Sequence, residues 1–263
     1  MSKQRRVCLG LLTAVLLSAS AEAAIEIDFM RHGETLWNRA RILQGTTPYP
    51  QLSAEGVAVT KATAEGLAAA GVKYDRVFTS PLVRTRETAD IVSAKTGPKP
   101  VVHALLRERC FGTAEGRRIP DGKTVKDLLA DATGVETEAE VAARVRAFLD
   151  EMKALDGKVD RVLAVTHSHL LKGLALALRG EAFDNGTLLP NNCINTVRYD
   201  DGRFTLVSTG RIFYDPAAFD AIKQPRGQAP SVGVGARTSP AQAGARQCGE
   251  SREARRAAAV TAP

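Results

Sequence analysis

The sequence predicts an α/β domain, a three-layer sandwich with a mostly parallel central sheet flanked by helices. Three observations carry that expectation. Short β-branched runs alternate with helical segments between Ala24 and Lys223; the run Val162 to Thr166 is nearly all apolar, as strands buried on both faces are; and no internal repeat interrupts the alternation.

Ile25 to Met30 opens the body as a strand, with apolar residues at Ile25, Ile27 and Phe29, and runs into a polar loop. Ser53 supplies an N-cap for a helix reaching Ala70, which Gly71 ends. Arg76 to Thr79 reads as the next strand. Ser80-Pro81 then places an N-cap and a first-turn proline before a helix to about Lys95. Val101 to Leu105 is a short strand, residues 122–156 are mostly helical, and Gly157 stops the amphipathic run Glu138 to Leu155. Val162 to Thr166 is followed by His167 and by a helix from Ser168 to Arg179, closed by Gly180. Asn195 to Tyr199 and Arg203 to Val207 flank Asp200-Asp201-Gly202 and form a hairpin. Ligands of open α/β sheets bind outside the carboxyl ends of the strands, and His32 and His167 both fall there.

The ends differ from this body. Lys3, Arg5 and Arg6 precede an apolar stretch from Val7 to Leu17 and the small-residue sequence Ala21-Glu22-Ala23, which reads as a signal peptide over residues 1–23. The stretch is shorter than the roughly 20 residues of a membrane span. Export to the periplasm or beyond follows, with no membrane span after cleavage. It makes Cys110, Cys193 and Cys248 candidates for one disulfide with one thiol left over. From 224 to 263 the chain is Ala-, Gly-, Arg- and Pro-rich without apolar periodicity, a basic tail expected to be disordered, which sets the folded domain at 24–223. Of the formal net charge of +7, the first 23 residues hold +2 and the last 40 hold +4. A nucleic-acid groove on the body is therefore not indicated.

Four segments carry chemistry. Arg31-His32-Gly33-Glu34-Thr35-Leu36-Trp37-Asn38 ends the opening strand; Ser80-Pro81-Leu82-Val83-Arg84-Thr85-Arg86-Glu87-Thr88-Ala89 follows the second; Leu106-Arg107-Glu108-Arg109-Cys110-Phe111-Gly112 precedes Glu115-Gly116; and Val165-Thr166-His167 closes a buried strand. In this order, with Gln44-Gly45 after the first, they resemble the histidine phosphatase superfamily in its phosphoglycerate-mutase-like branch, over residues 25–213. The resemblance implies the phosphoglycerate-mutase-like fold and a phosphohistidine on His32, which splits hydrolysis into two displacements. Arg31 and Arg84 would grip the phosphoryl oxygens, with His167 completing the pocket as a donor and Asn38 as a further phosphate contact. Glu108 is the expected general acid, protonating the departing alkoxide and later activating water. This chemistry needs no metal and no cofactor.

Gly33 is expected to let the backbone turn tightly beside the nucleophile, and Glu34, Glu87 and Glu115 to be structural. Two positions depart from the family pattern: Ser168-His169 replaces a glycine after the second histidine, and Thr113-Ala114 replaces an aromatic before Glu115-Gly116. His167-Ser168-His169 also raises a zinc hydrolase, although Leu171 and Lys172 stand where the extended metal motif has Asp and His. Two further alternatives share the fold, a phosphoglycerate-mutase-like phosphotransferase and a catalytically silent phosphate- or glycan-binding protein. The signal peptide favours an exported phosphatase acting on small-molecule or surface-glycan phosphomonoesters.

Overall fold

The computed structural model describes residues 24–181 and 189–217. A six-stranded sheet runs in the order β3-β2-β4-β1-β5-β6. Its strands are β1 (Ile25–Arg31), β2 (Arg76–Thr79), β3 (Val101–Val102), β4 (Arg161–Thr166), β5 (Ile194–Asp200) and β6 (Arg203–Arg211). The first four in chain order are mutually parallel, and β5 and β6 add an antiparallel pair beside β1. Because β2, β4 and β1 are adjacent and parallel, their carboxyl ends open on one edge, where the histidines stand.

Side-chain alternation splits the core into two layers. Ile25, Ile27, Phe29, Val162 and Ala164 face α5 (Glu138–Met152) and α6 (Ser168–Arg179), packing on Phe148 and Leu174. Met30, Leu163 and Val165 face α2 (Ala54–Ala69) and α3 (Val83–Thr96), packing on Leu67 and Val92. A smaller third core, Leu43, Phe111, Ala114 and Leu128, lies apart from both, with α4 (Val125–Leu129) beside it. Asp28 is buried on β1 and accepts hydrogen bonds from Tyr74 Oη (2.9 Å), Thr196 Oγ1 (2.6 Å) and Arg161 Nε (3.0 Å), which satisfy its charge inside the sheet.

Most expected elements are present, with four differences that have local causes. The helix after β2 starts at Val83, and Ser80 does not cap it; its hydroxyl is bonded instead to His167 Nε2 at 2.8 Å. The third strand keeps only Val101–Val102, because after the ladder bond from His103 N to Thr79 O the chain turns through a 3₁₀ turn, Ala104–Leu106, that buries Leu106. The helical stretch expected over 122–156 is α4 and α5 separated by a loop, since Glu136 is drawn inward onto Arg107 and Arg144. A short helix not read from the sequence, α1 (Leu36–Arg39), follows the first motif. The hairpin turn is Asp201-Gly202 with φ of 48° and 73°, the two left-handed positions of a type I′ turn. Cys110 is disulfide-bonded and Cys193 is a buried free thiol, its pKa pushed up to about 11 by burial. Among the described residues no helix is long and apolar enough to cross a membrane. The signal peptide (1–23), the tail (224–263) and Cys248 lie outside the described residues.

Candidate active site

His32 leaves the end of β1, its backbone N–H donating to Thr166 O on β4 (2.9 Å) and its carbonyl accepting from Asn191 Nδ2 (2.8 Å). Its ring Nδ1 lies 2.7 Å from Gly33 O. A carbonyl only accepts, so Nδ1 carries the proton and Nε2 holds the free lone pair. Burial, followed by the charges of Arg84 and Arg31, holds the ring well below the ordinary histidine pKa, so it is neutral and nucleophilic. Gly33 does not adopt a left-handed turn here. Its role is close approach, because a Cβ would lie 2.5 Å from Thr60 Oγ1, while its N–H donates to Thr88 Oγ1 at 2.9 Å.

His167 ends β4 with its ring centroid 5.2 Å from that of His32. Ser80 Oγ accepts a weak bond from Leu82 N (3.4 Å), which leaves its proton for His167 Nε2. On that assignment His167 Nδ1 bears a hydrogen, and this buried atom has no partner in the protein. His167 too is held well below the ordinary histidine value, first by burial and then by Arg84.

Arg84 lies in the first turn of α3 and is wholly buried. Nη1 donates to Thr47 O (3.1 Å) and Nη2 to Gly45 O (2.7 Å), while Nε is unpartnered. Burial lowers its pKa to about 10, which leaves it charged at neutral pH. Arg31 donates Nη1 to Leu189 O, and its Nε is likewise buried and unpartnered. Two guanidinium donors without protein partners, beside a histidine lone pair, form a cradle for an anion. The loop that carries Gly45 folds over Glu115, whose Oε1 accepts from Thr46 N (2.9 Å) and Phe111 N (3.0 Å). Gly45 has φ of 52°, and a Cβ there would meet Glu115 Oε1 at 2.1 Å. Glu87, which accepts from Leu52 N (2.8 Å), and Glu34, which pairs with Arg39 (2.7 Å), hold the neighbouring loop, so all three glutamates are structural as expected.

Glu108 is buried at the same cavity. Oε1 accepts from Arg109 N at 2.8 Å, and Oε2 lies 3.5 Å from His169 N and 3.8 Å from His169 Nδ1. Burial raises its pKa, but the His169 ring beside it and the hydrogen bond from Arg109 N outweigh burial and hold the carboxyl well below its ordinary value. Asn38 lines the cavity, but its Oδ1 is occupied by Thr35 N (3.1 Å) and Thr35 Oγ1 (3.0 Å) in a capping box; only its amide nitrogen is available to an anion. The two histidines of His167-Ser168-His169 take different partners. His167 bonds Ser80, whereas His169 stacks edge-on against Phe111 (4.9 Å) and faces Glu108.

The cavity measures about 240 Å³ and is lined by Arg31, His32, Arg84 and Glu108 from the motifs. It is also lined by Arg41, Ile42, Leu43, Ile119 and Val125, which stand in none of the sequence motifs. Ser80 was a second omission; a serine before a proline reads as a cap, and nothing local reveals a partner 87 positions away.

The chain belongs to the histidine phosphatase superfamily, branch 1, whose family model matches residues 27–211. It is 32% identical over 189 residues to the probable phosphoglycerate mutase GpmB of Proteus mirabilis, covering 67% of this chain and 86% of that one. Among solved structures it resembles phosphoglycerate mutase from Bacillus anthracis, with TM-score 0.63, 23% identity and coverage of 76% and 97% of the two chains. It also resembles a mycobacterial glucosyl-3-phosphoglycerate phosphatase, with TM-score 0.59, 25% identity and coverage of 71% and 99%.

Proposed function

We propose that the protein is an exported, metal-independent phosphatase that hydrolyses phosphomonoesters through a phosphohistidine on His32. The observation that carries this reading is the Nδ1 to Gly33 O bond, which presents Nε2 of a neutral ring beside the unpartnered nitrogens of Arg31 and Arg84. In the first displacement the Nε2 lone pair forms an N–P bond as the ester P–O bond breaks, and the departing alkoxide takes a proton from Glu108. In the second, Glu108 takes a proton from water, the new O–P bond forms, the N–P bond breaks and inorganic phosphate leaves. Arg31, Arg84 and His167 hold the phosphoryl oxygens in both steps, so positioning and charge stabilisation supply most of the acceleration.

Glu108 rests as a carboxylate, and a general acid must hold a proton. A substrate phosphate has its second pKa near ~6 and can bring that proton as the monoanion, while its charge raises the pKa of the adjacent carboxylate. Maximal activity is accordingly expected on the acid side of neutrality. The basic, apolar and small-residue succession over 3–23 supports export, and export favours a phosphatase over a mutase; a mutase would move phosphate within 3-phosphoglycerate without releasing it.

The test is hydrolysis of p-nitrophenyl phosphate by the protein with and without excess chelator, beside His32→Ala. Activity that survives chelation and falls at least ~10³-fold in the variant is expected. Chelator-sensitive turnover, or an active His32→Ala, overturns the phosphohistidine route.

A further inference from the structure

The cavity lining combines the anion cradle of Arg31, His32 and Arg84, with Glu108 beside it, and an apolar wall of Ile42, Leu43, Phe111, Ile119 and Val125; Asn38, Gln44 and Ser168 add neutral polar groups, and Gln44 Oε1 is buried without a partner. Leu43 and Phe111 of the wall belong to the small third core with Ala114 and Leu128, and Ile119 and Val125 pack against that core.

The charges on the lining are already engaged. Arg41 donates Nη1 to Asp121 Oδ1 (3.3 Å) and Nη2 to the carbonyls of Pro120 (3.3 Å) and Lys123 (3.0 Å), and it adopts a left-handed φ of 57° to do so. It tethers the 118–123 loop, whose Ile119 N donates back to Arg41 O at 2.8 Å. His169 is committed to Glu108 and Phe111. Among the described residues on this lining, none beyond the cradle offers an uncommitted positive charge. A carboxylate or second phosphate on the leaving group would have to be desolvated without an uncommitted cation to offset its charge, beside neutral groups and apolar side chains only.

We infer that the substrate is a monophosphate of an uncharged, mainly apolar alcohol, an alkyl or arylalkyl phosphate of a size that fits about 240 Å³, rather than a phosphoglycerate or a bisphosphate. The inference rests on the phosphomonoesterase reading and narrows it. Water cleaves the P–O ester bond, and the alcohol leaves protonated while phosphate is released. Apolar pocket contacts are worth roughly 10–200-fold in discrimination per methylene-sized group.

The experiment compares kcat/KM of the full chain for benzyl phosphate, glycerol 1-phosphate and 3-phosphoglycerate, all of which leave as ordinary alcohols, so leaving-group acidity does not bias the comparison. Benzyl phosphate is expected to exceed glycerol 1-phosphate by at least ~10-fold and 3-phosphoglycerate by more. Ile119→Lys, which puts a cation in the wall, is expected to narrow or invert the benzyl to 3-phosphoglycerate ratio. Ile119→Ala serves as the milder variant and is expected to reduce the benzyl to glycerol ratio. Preference for 3-phosphoglycerate or glycerol phosphate by an active wild type overturns this inference alone. Failure to hydrolyse any of the three or p-nitrophenyl phosphate overturns the phosphatase reading and this inference with it.

Discussion

His169 occupies a place where its imidazole and backbone both face the Glu108 carboxylate, and the consequence is a proton-transfer group tuned by its neighbour. Removing the imidazole is expected to raise the Glu108 pKa, because the His169 ring beside the carboxylate favours its ionised form. On the proposed route the acid form performs the first step, so the alkaline limb of kcat/KM is expected to move to higher pH in His169→Gln. The shift should be larger for glycerol 1-phosphate than for p-nitrophenyl phosphate, whose phenolate leaves with little help; equal profiles for wild type and variant would remove His169 from this role. Glu108→Gln is expected to lower turnover of the alkyl ester by ~10²–10⁴-fold. Arg31, His32, Arg84 and His167 were legible in the sequence because each stands in a motif at the end of a strand or the start of a helix, whereas Glu108 was legible from its motif alone, in a segment of irregular backbone. Asn38 was legible as a neighbour of the site, but its use of Oδ1 in a capping box was not read.

The segment that carries Glu108 is shaped by a buried ion network more than by regular secondary structure. Glu136 accepts from Arg144 Nε (2.8 Å) and Arg107 Nη1 (2.8 Å), and Arg144 Nη1 reaches the carbonyls of Leu105 (2.8 Å) and Arg107 (3.0 Å). α5 thereby grips the backbone leading to Glu108. Arg144→Met leaves Glu136 facing Arg107 alone and is expected to destabilise the fold by about 3–5 kcal/mol, the range for breaking a buried pair, as read from urea unfolding. A change below about 1 kcal/mol would mean that packing rather than charge holds this segment. The interruption between α4 and α5 had a signal in the sequence: Thr124 with Asp127 and Thr137 with Glu140 form capping boxes, each marking a separate helix start. The helical periodicity hid it. The truncated β3 carried no such signal, since the apolar run Val101 to Leu105 fits a strand as well as the 3₁₀ turn it enters.

The protein as a whole couples folding to protons through its site. His32 and His167 are neutral when folded and depressed below 6.5, so the unfolded chain takes up protons that the folded one refuses as pH falls through 6.5; stability declines there. Glu136, lowered from 4.5 to about 2, contributes stability that is complete above 4.5 and lost as pH falls toward about 2. Glu115, raised by burial, acts in the opposite direction just above 4.5 and softens the slope. The thermal midpoint is therefore expected to fall progressively between pH 7 and pH 4 and more steeply below; a flat profile would contradict the buried neutral histidines. The parallel sheet and its order of elements were legible because buried strands and capped helices leave strong periodic signals. The cavity wall was not, because Ile42, Ile119 and Val125 come from two separate loops and the start of α4 and meet only in three dimensions. Apart from Ile42, that wall belongs to or packs on a core sharing no buried residue with the two cores that pack against the sheet. Substitutions within it can therefore accumulate without disturbing the strand ends that present the histidines, so one phosphoryl-transfer engine can be refitted to new leaving groups by exchanging a detachable cover.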